Sequence, residues 1–373
     1  MSDAQFRARL CYSPHEKRDR VERDSLASEV YRNMNIRRMT LPCLLLVMSA
    51  PLAADEHVTT TSTHRLTEVA NGVYLAQTTA PLFNSNSLVI INEEDVVVVD
   101  SHLTPAKARD LIASIKTVTT KPITTLINSH FHWDHAHGNQ VFGDDVQIIG
   151  HEYTRMKLAG TPLEETQYVQ ATAGNKRTLA RISEMLTSAS EEDRPEIQKW
   201  FDLYSQQDED WKEIAPIPPD TTLNDRMTLF RGSREIQLHF FGRAHTGGDV
   251  TVYLPAEKLA FTGDMMLQGP SFLGDGYVDE WVQTLENLKG LPFETIVPGH
   301  GNPFTNRDLI GHVQKYYEDL WGKVANMHEQ DIPVADAARE VDMTNHASTL
   351  GVRRKGVDPQ AVGRIYARLD GAD

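Results

Sequence analysis

Ser129–Asn139 reads SHFHWDHAHGN and follows a short apolar run, ITTLINS, that begins at Ile123. Four potential metal ligands, His130, His132, Asp134 and His135, fall within six consecutive residues. A helix would scatter them around its circumference, whereas a strand that ends in a tight loop turns alternate side chains to one side. His130 and His132 would then meet one ion, and Asp134 and His135 another. Imidazole nitrogen and carboxylate oxygen form the donor set of catalytic zinc sites that keep an open position.

Three further groups stand just after strand-like runs: His245 in AHTGGD, Asp264 in FTGD and His300 in VPGHG. In sheets covered by helices, side chains at the carboxyl ends of strands converge on one edge, where ligand sites form. Seven ligands suffice for two ions, with Asp264 able to bridge them. Asp100, after VVVV, and Asp249 are placed to hydrogen-bond the ligand imidazoles. Gly138, Gly247, Gly248, Gly263, Gly299 and Gly301 flank the ligands, where tight turns often need positive φ. His137 reads as outside the metal shell, and His102, His151 and His239 are assigned no ligand role.

The surrounding pattern is that of a mixed α/β domain. GVYLAQTT starts at Gly72, and NSLVIINEEDVVVVD runs to Asp100 with Glu93-Glu94-Asp95 as its hairpin turn. Thr104 caps a helix with Pro105 at its first position, whose apolar face is Ala108, Leu111, Ile112 and Ile115. REIQLHFFG, DVTVYLP, KLAFTGD and ETIVPGH then read as strands, with a helix carrying Trp281, Leu285 and Leu288 before the last of them. Sheets covered by helices follow. Within a core domain of residues 55–305, residues 152–233 are expected to be a helical insertion. Its Trp200, Phe201, Tyr204 and Trp211 offer an apolar wall for a lid. A long helix capped by Thr305 and Asp308 opens a helical C-terminal segment, residues 306–373.

With 40% hydrophobic and 24% charged residues, the 373-residue chain has ordinary globular composition, and no uncharged run is long enough to span a membrane. A formal charge of -15 disfavours nucleic acid and anionic membrane surfaces and favours a small-molecule substrate. Residues 34–54, MNIRRMTLPCLLLVMSAPLAA, have the basic, apolar and small-residue layout of a signal peptide, so Met34 or Met39 reads as the start and residues 1–33 as a spurious leader. Both cysteines, Cys11 and Cys43, precede residue 55, so the mature chain is expected to be cysteine-free and exported, which suits the bacterial periplasm.

The HxHxDH, HTxGD, TGD and PGHG elements, in that order between about Gly72 and Pro303, resemble the metallo-β-lactamase superfamily. The resemblance implies an αββα sandwich and a binuclear centre, two zinc ions with iron or manganese as alternatives. Carried over, His130, His132 and His245 would hold the first ion, Asp134, His135 and His300 the second, and Asp264 and a hydroxide would bridge them. Asp134 would orient the hydroxide and relay its proton.

The superfamily spans many chemistries, so fold alone does not choose among them. An aspartate at 264, where true zinc β-lactamases typically have Cys or Ser, leans toward thioester hydrolases and lactonases. Met265, Met266 and Leu267 leave no lactonase-type tyrosine. An exported acidic chain does not suit the anionic glutathione thioester of glyoxalase II. The expected function is a periplasmic binuclear zinc hydrolase of an acyl bond, with a β-lactam as the leading substrate. The alternatives are a lactone, ester or glyoxalase II-like thioester hydrolase, a mononuclear iron persulfide dioxygenase-like enzyme using His130, His132 and His245, and a non-catalytic metal-loaded binding protein.

Overall fold

Val96–Val99 is buried on both faces, as a strand must be when it lies between two apolar layers. Val97 and Val99 face one core and Val96 and Val98 another, the period of two that a pleated strand imposes. The structure, a computed structural model, describes residues 58–372. The expected leader and signal peptide, residues 1–33 and 34–54, lie outside the described residues.

The first sheet has eight strands in sequence order: β1 (Val58–Thr60), β2 (His64–Ala70), β3 (Val73–Thr78), β4 (Ser87–Ile91), β5 (Val96–Val99), β6 (Ile123–Ile127), β7 (Gln147–His151) and β8 (Thr221–Leu223). The second holds β9 (Arg226–Arg231), β10 (Arg234–Phe240), β11 (Val250–Leu254), β12 (Leu259–Gly263) and β13 (Thr295–Pro298), ordered β13-β12-β11-β10-β9. Pairing is antiparallel from β1 to β5 and parallel from β5 to β8. In the second sheet only β12 and β13 run parallel.

The inner faces meet in one core, where Val97, Val99, Ile127 and Ile149 oppose Ile236, Val252, Phe261 and Val297. Outside the first sheet lies α1 (Pro105–Ile115), with Ala108, Leu111 and Ile115 against Val96, Val98 and Leu126. The order helix, sheet, sheet, helix is completed by helices on the outer face of the second sheet, giving the expected αββα sandwich. These are α6 (Val278–Leu288), α7 (Asp308–Glu329), α8 (Val334–Glu340), α9 (Ala347–Leu350) and α10 (Pro359–Leu369). Their Trp281, Leu285, Tyr317, Leu320 and Ile365 pack in one cluster with Tyr253, Ala260 and Ile296.

The hairpin across Glu93–Asp95 and the Thr104–Pro105 helix start form as read from sequence. Thr104 Oγ1 accepts from Lys107 N–H at 3.2 Å and is buried. Thr104→Ala is therefore expected to lower stability by about 1 kcal/mol, seen as a shift in the denaturant midpoint.

Three expectations are corrected. The stretch 152–233 is helical in α3 (Glu152–Ala159), α4 (Thr166–Thr187), α5 (Arg194–Asp210) and a 3-10 turn at Trp211–Glu213, but β8 and β9 also lie inside it. These strands of three and six residues take their conformation from pairing with β7 and β10, which no local periodicity announces. At α7 neither Thr305 nor Asp308 caps: Asn306 Oδ1 accepts from Asp308 N–H, and Asp308 is the first helical residue. Trp211 is no open lid wall but is buried with Leu103, Trp133, Tyr168 and Ile214.

The described residues divide into two compact units, one of residues 58–174 with 206–372, and another containing Asn175–Ser205. In the latter, Ile182, Ile197 and Trp200 are buried, Trp200 Nε1–H donates to Glu196 Oε1 at 3.2 Å, and Asn175 Nδ2–H donates to the Tyr204 carbonyl at 3.2 Å.

Candidate metal centre

Each ligand-bearing loop leaves the same edge of the sandwich because β6, β10, β12 and β13 all point their carboxyl ends that way. After β6 the chain turns into the single-turn helix α2 (Trp133–Ala136), which carries Asp134 and His135. Cross-links fix this edge: Val250 N–H donates to the Ser129 carbonyl at 2.7 Å, Ser101 N–H to the His135 carbonyl at 2.7 Å, and Gly299 N–H to the Gly263 carbonyl at 2.8 Å. Of the six flanking glycines only Gly263 and Gly301 adopt positive φ. Gly299 is required instead by close approach, since a Cβ there would collide with Asp264 Oδ1 and the His135 ring.

All seven expected ligands come together. Their donor atoms form three overlapping groups, each within 4.8 Å: His130, His132 and His245; His130, His135 and Asp264; and Asp134, His135 and His300. Asp264 faces both ends, with Oδ2 3.7 Å from His245 Nε2 and 3.4 Å from His300 Nε2, and Oδ1 3.5 Å from His135 Nε2. Asp134 Oδ2 lies 3.0 Å from His300 Nε2 and 3.4 Å from His135 Nε2. The side chain of His300 is 20% exposed and that of Asp134 only 7%, so the centre opens on the His300 side.

The remaining ring nitrogens are committed to supports that set which nitrogen faces the centre. Asp100 meets His135 Nδ1 at 2.7 Å, as expected. It also accepts from Ser129 N–H and Oγ–H at 2.7 Å each, and its backbone is held at φ 63°. The expectation for Asp249 is corrected: it accepts from Thr246 N–H at 2.9 Å and Oγ1–H at 2.7 Å, closing the turn that presents His245. A carboxylate three residues after Thr246 reaches that turn before any imidazole.

Sequence reasoning missed Asp275, whose Oδ2 lies 2.9 Å from His132 Nε2. Its Asp-Gly setting reads as an ordinary turn, and no spacing ties it to a histidine 143 residues earlier. Two carbonyl supports were equally invisible, that of Phe272 for His245 Nδ1 at 3.0 Å and that of Asn84 for His300 Nδ1 at 3.2 Å. His137 joins no ligand group and lies beside Tyr168. His102 meets His64 at 3.1 Å, His151 Nδ1 caps α3 by accepting from Tyr153 N–H at 3.0 Å, and His239 pairs with Gln237 at 2.9 Å.

Electrostatics divide the centre. Burial, then the neighbouring imidazoles, pushes His130 well below its usual range and His245 to about 3, so both rings are neutral with lone pairs available. Burial also pulls on His300, but Asp264 and Asp134 outweigh it and hold it up at about 10. His135 is raised in the same way by Asp134, Asp264 and Asp100. Burial alone would raise the pKa of Asp134 and Asp264, yet His135 and His300 hold both below the usual carboxylate range.

These features fit a metal. His130 Nε2 and Asp264 Oδ1 are buried without any hydrogen-bond partner, a costly arrangement unless a cation takes them. The positive charge that the two carboxylates attract onto His135 and His300 is the charge a cation would supply on displacing those protons.

The family model described as the metallo-beta-lactamase superfamily matches residues 80–300. The chain belongs to the metallo-beta-lactamase superfamily. The superfamily consists mostly of metal-dependent hydrolases, and all seven candidate ligands of this member fall within the matched residues. A linear primary-alkylsulfatase of Pseudomonas sp. (strain ATCC 19151) is 23% identical over 64% of this chain and 45% of its own length, so the chain spans less than half of that relative. A type 2 metallo-beta-lactamase of Bacteroides fragilis is 21% identical over 73% of this chain and 93% of its own. The crystal structure of a metallo-beta-lactamase from Erythrobacter litoralis superposes with a TM-score of 0.48 at 18% identity, covering 70% of this chain and 100% of that one.

Proposed function

We propose that this superfamily member is a binuclear zinc hydrolase that cleaves an acyl bond of a small molecule, with a β-lactam as the leading substrate. The observation that carries the reading is the pooling of seven donor atoms into overlapping groups around Asp264, with His130 Nε2 and Asp264 Oδ1 buried and without a hydrogen-bond partner. His130, His132 and His245 would hold one ion, Asp134, His135 and His300 the other, and Asp264 faces both.

When bound, such ions supply hydroxide near neutral pH and act as Lewis acids toward the substrate carbonyl. Asp134 orients the attacking water and takes its proton, because its carboxylate sits beside the partly exposed His300. His132 and His245 are held at the other end by Asp275 and the Phe272 carbonyl. Phe83 is 58% exposed and stacks on His300 with ring centroids 4.9 Å apart, so a substrate entering there meets an apolar face. The signal-like residues 34–54 support export to the periplasm as part of this reading.

The similarity to an alkylsulfatase favours a second reading, hydrolysis of a sulfate ester with its alkyl chain against Phe83. One panel tests both: β-lactam, ester, thioester, lactone and alkyl sulfate substrates, assayed on protein whose metal is quantified. Two zinc ions per chain are expected, with turnover of an acyl substrate lost to a chelator and restored by zinc. One iron per chain with oxygen consumption would replace the hydrolase by an oxygenase. A loaded chain silent on the whole panel would leave a binding protein.

A further inference from the structure

The loop from Gly269 to Tyr277 orients two of the three histidines in the first ligand group. Asp275 meets His132 at 2.9 Å, the Phe272 carbonyl meets His245 Nδ1 at 3.0 Å, and Ser271 Oγ lies 3.2 Å from that same nitrogen. Tyr277 N–H donates to the carbonyl of Ala244, the residue before His245, at 2.7 Å. Three glycines, Gly269, Gly274 and Gly276, give this loop wide backbone freedom when nothing restrains it.

Besides the bond from Tyr277 to Ala244 and the Arg243 guanidinium over the Tyr277 ring, 4.3 Å from its centroid, the loop is restrained by helices beyond the residues that the family model matches. From α7, Tyr317 Oη accepts from Ser271 N–H at 3.2 Å. From α10, Arg364 Nε–H donates to the Gly276 carbonyl at 3.0 Å, and its guanidinium lies over the Tyr277 ring, 4.6 Å from the centroid. Supports of the second group lie elsewhere: Asp100 for His135, the Asn84 carbonyl for His300, and Ser85 Oγ–H on the Asp134 carbonyl at 2.5 Å.

We infer that Arg364 and Tyr317 are positioning residues for the first ligand group: the C-terminal helices clamp the 269–277 loop and thereby fix the ring orientations of His132 and His245. The clamp leaves Asp134, His135 and His300 untouched, so the two halves of the centre are braced independently. This rests on the metal reading above.

The test is a zinc titration of the full chain against a chromophoric chelator, with thermal unfolding measured alongside. Two uptake steps are expected for the natural chain. Arg364→Ala should weaken one step by about 10–100-fold, the usual cost of losing an outer support, and leave the other unchanged. Tyr317→Phe, which removes only a hydroxyl, should weaken the same step, and Arg364→Lys, which keeps a cationic donor for Gly276, should restore part of the loss. Ile365→Ala, a buried neighbour on α10, is the structural control and should lower the melting temperature without separating the steps. Arg364→Ala and Tyr317→Phe curves that match the natural chain, or both steps weakened in parallel as in Ile365→Ala, would overturn the clamp while leaving the metal reading intact. A natural chain that takes up no zinc would overturn the metal reading and the clamp with it.

Discussion

Asp264→Ala is expected to empty much of the centre and to cut turnover at least about 100-fold, beyond what loss of an outer support costs. Its carboxylate is the only one whose oxygens face His245 at 3.7 Å as well as His135 at 3.5 Å and His300 at 3.4 Å among the described residues. Removing it leaves five imidazoles, four of them buried, with a single remaining ligand carboxylate, Asp134, so two cations would stand close together with less negative charge between them. Metal content and turnover should therefore fall together while circular dichroism stays unchanged. Full occupancy with natural turnover would remove Asp264 from the ligand set.

Trp281→Ala is expected to cost about 3–5 kcal/mol of stability, the range for deleting a fully buried large aromatic. The side chain is 0% exposed, its Nε1–H donates to the Met265 carbonyl at 2.9 Å, and its ring lies 4.6 Å from Tyr317 and 5.8 Å from His245. The cavity would open where α6, α7 and the backbone after Asp264 meet, and the Met265 carbonyl would lose its donor. Urea unfolding should show a lower midpoint at unchanged slope. A loss below about 1 kcal/mol would mean that the neighbours collapse into the space and that Trp281 is not the keystone of this layer.

The strands and helices of the sandwich were legible because burial leaves a local trace. VVVV reads as a strand covered on both faces, Thr104-Pro105 as a helix start, and the spacing of Trp281, Leu285 and Leu288 as one helical stripe, since each depends on neighbours within a turn or a pleat. The same holds for the ligands: strand ends in a mixed sheet point to one edge, so residues as far apart as His130 and His300 could be assigned to one place from chain direction alone. β8 and β9 were hidden because their partners, not their own short runs, make them strands.

What the sequence by itself determined is therefore a mixed α/β domain with seven candidate ligands at its strand ends, the layer order coming with the family resemblance. What only the tertiary structure decided is how those seven are held. Asp249 closes its own turn on Thr246, whereas Asp275 reaches His132 from a glycine-rich loop that Tyr317 and Arg364 brace from helices far along the chain. The physical reason is range. A strand, a cap or a ligand motif is written in residues a few positions apart, while an outer support is a hydrogen bond whose partner is chosen by packing, and packing brings together residues whose separation in sequence carries no signal.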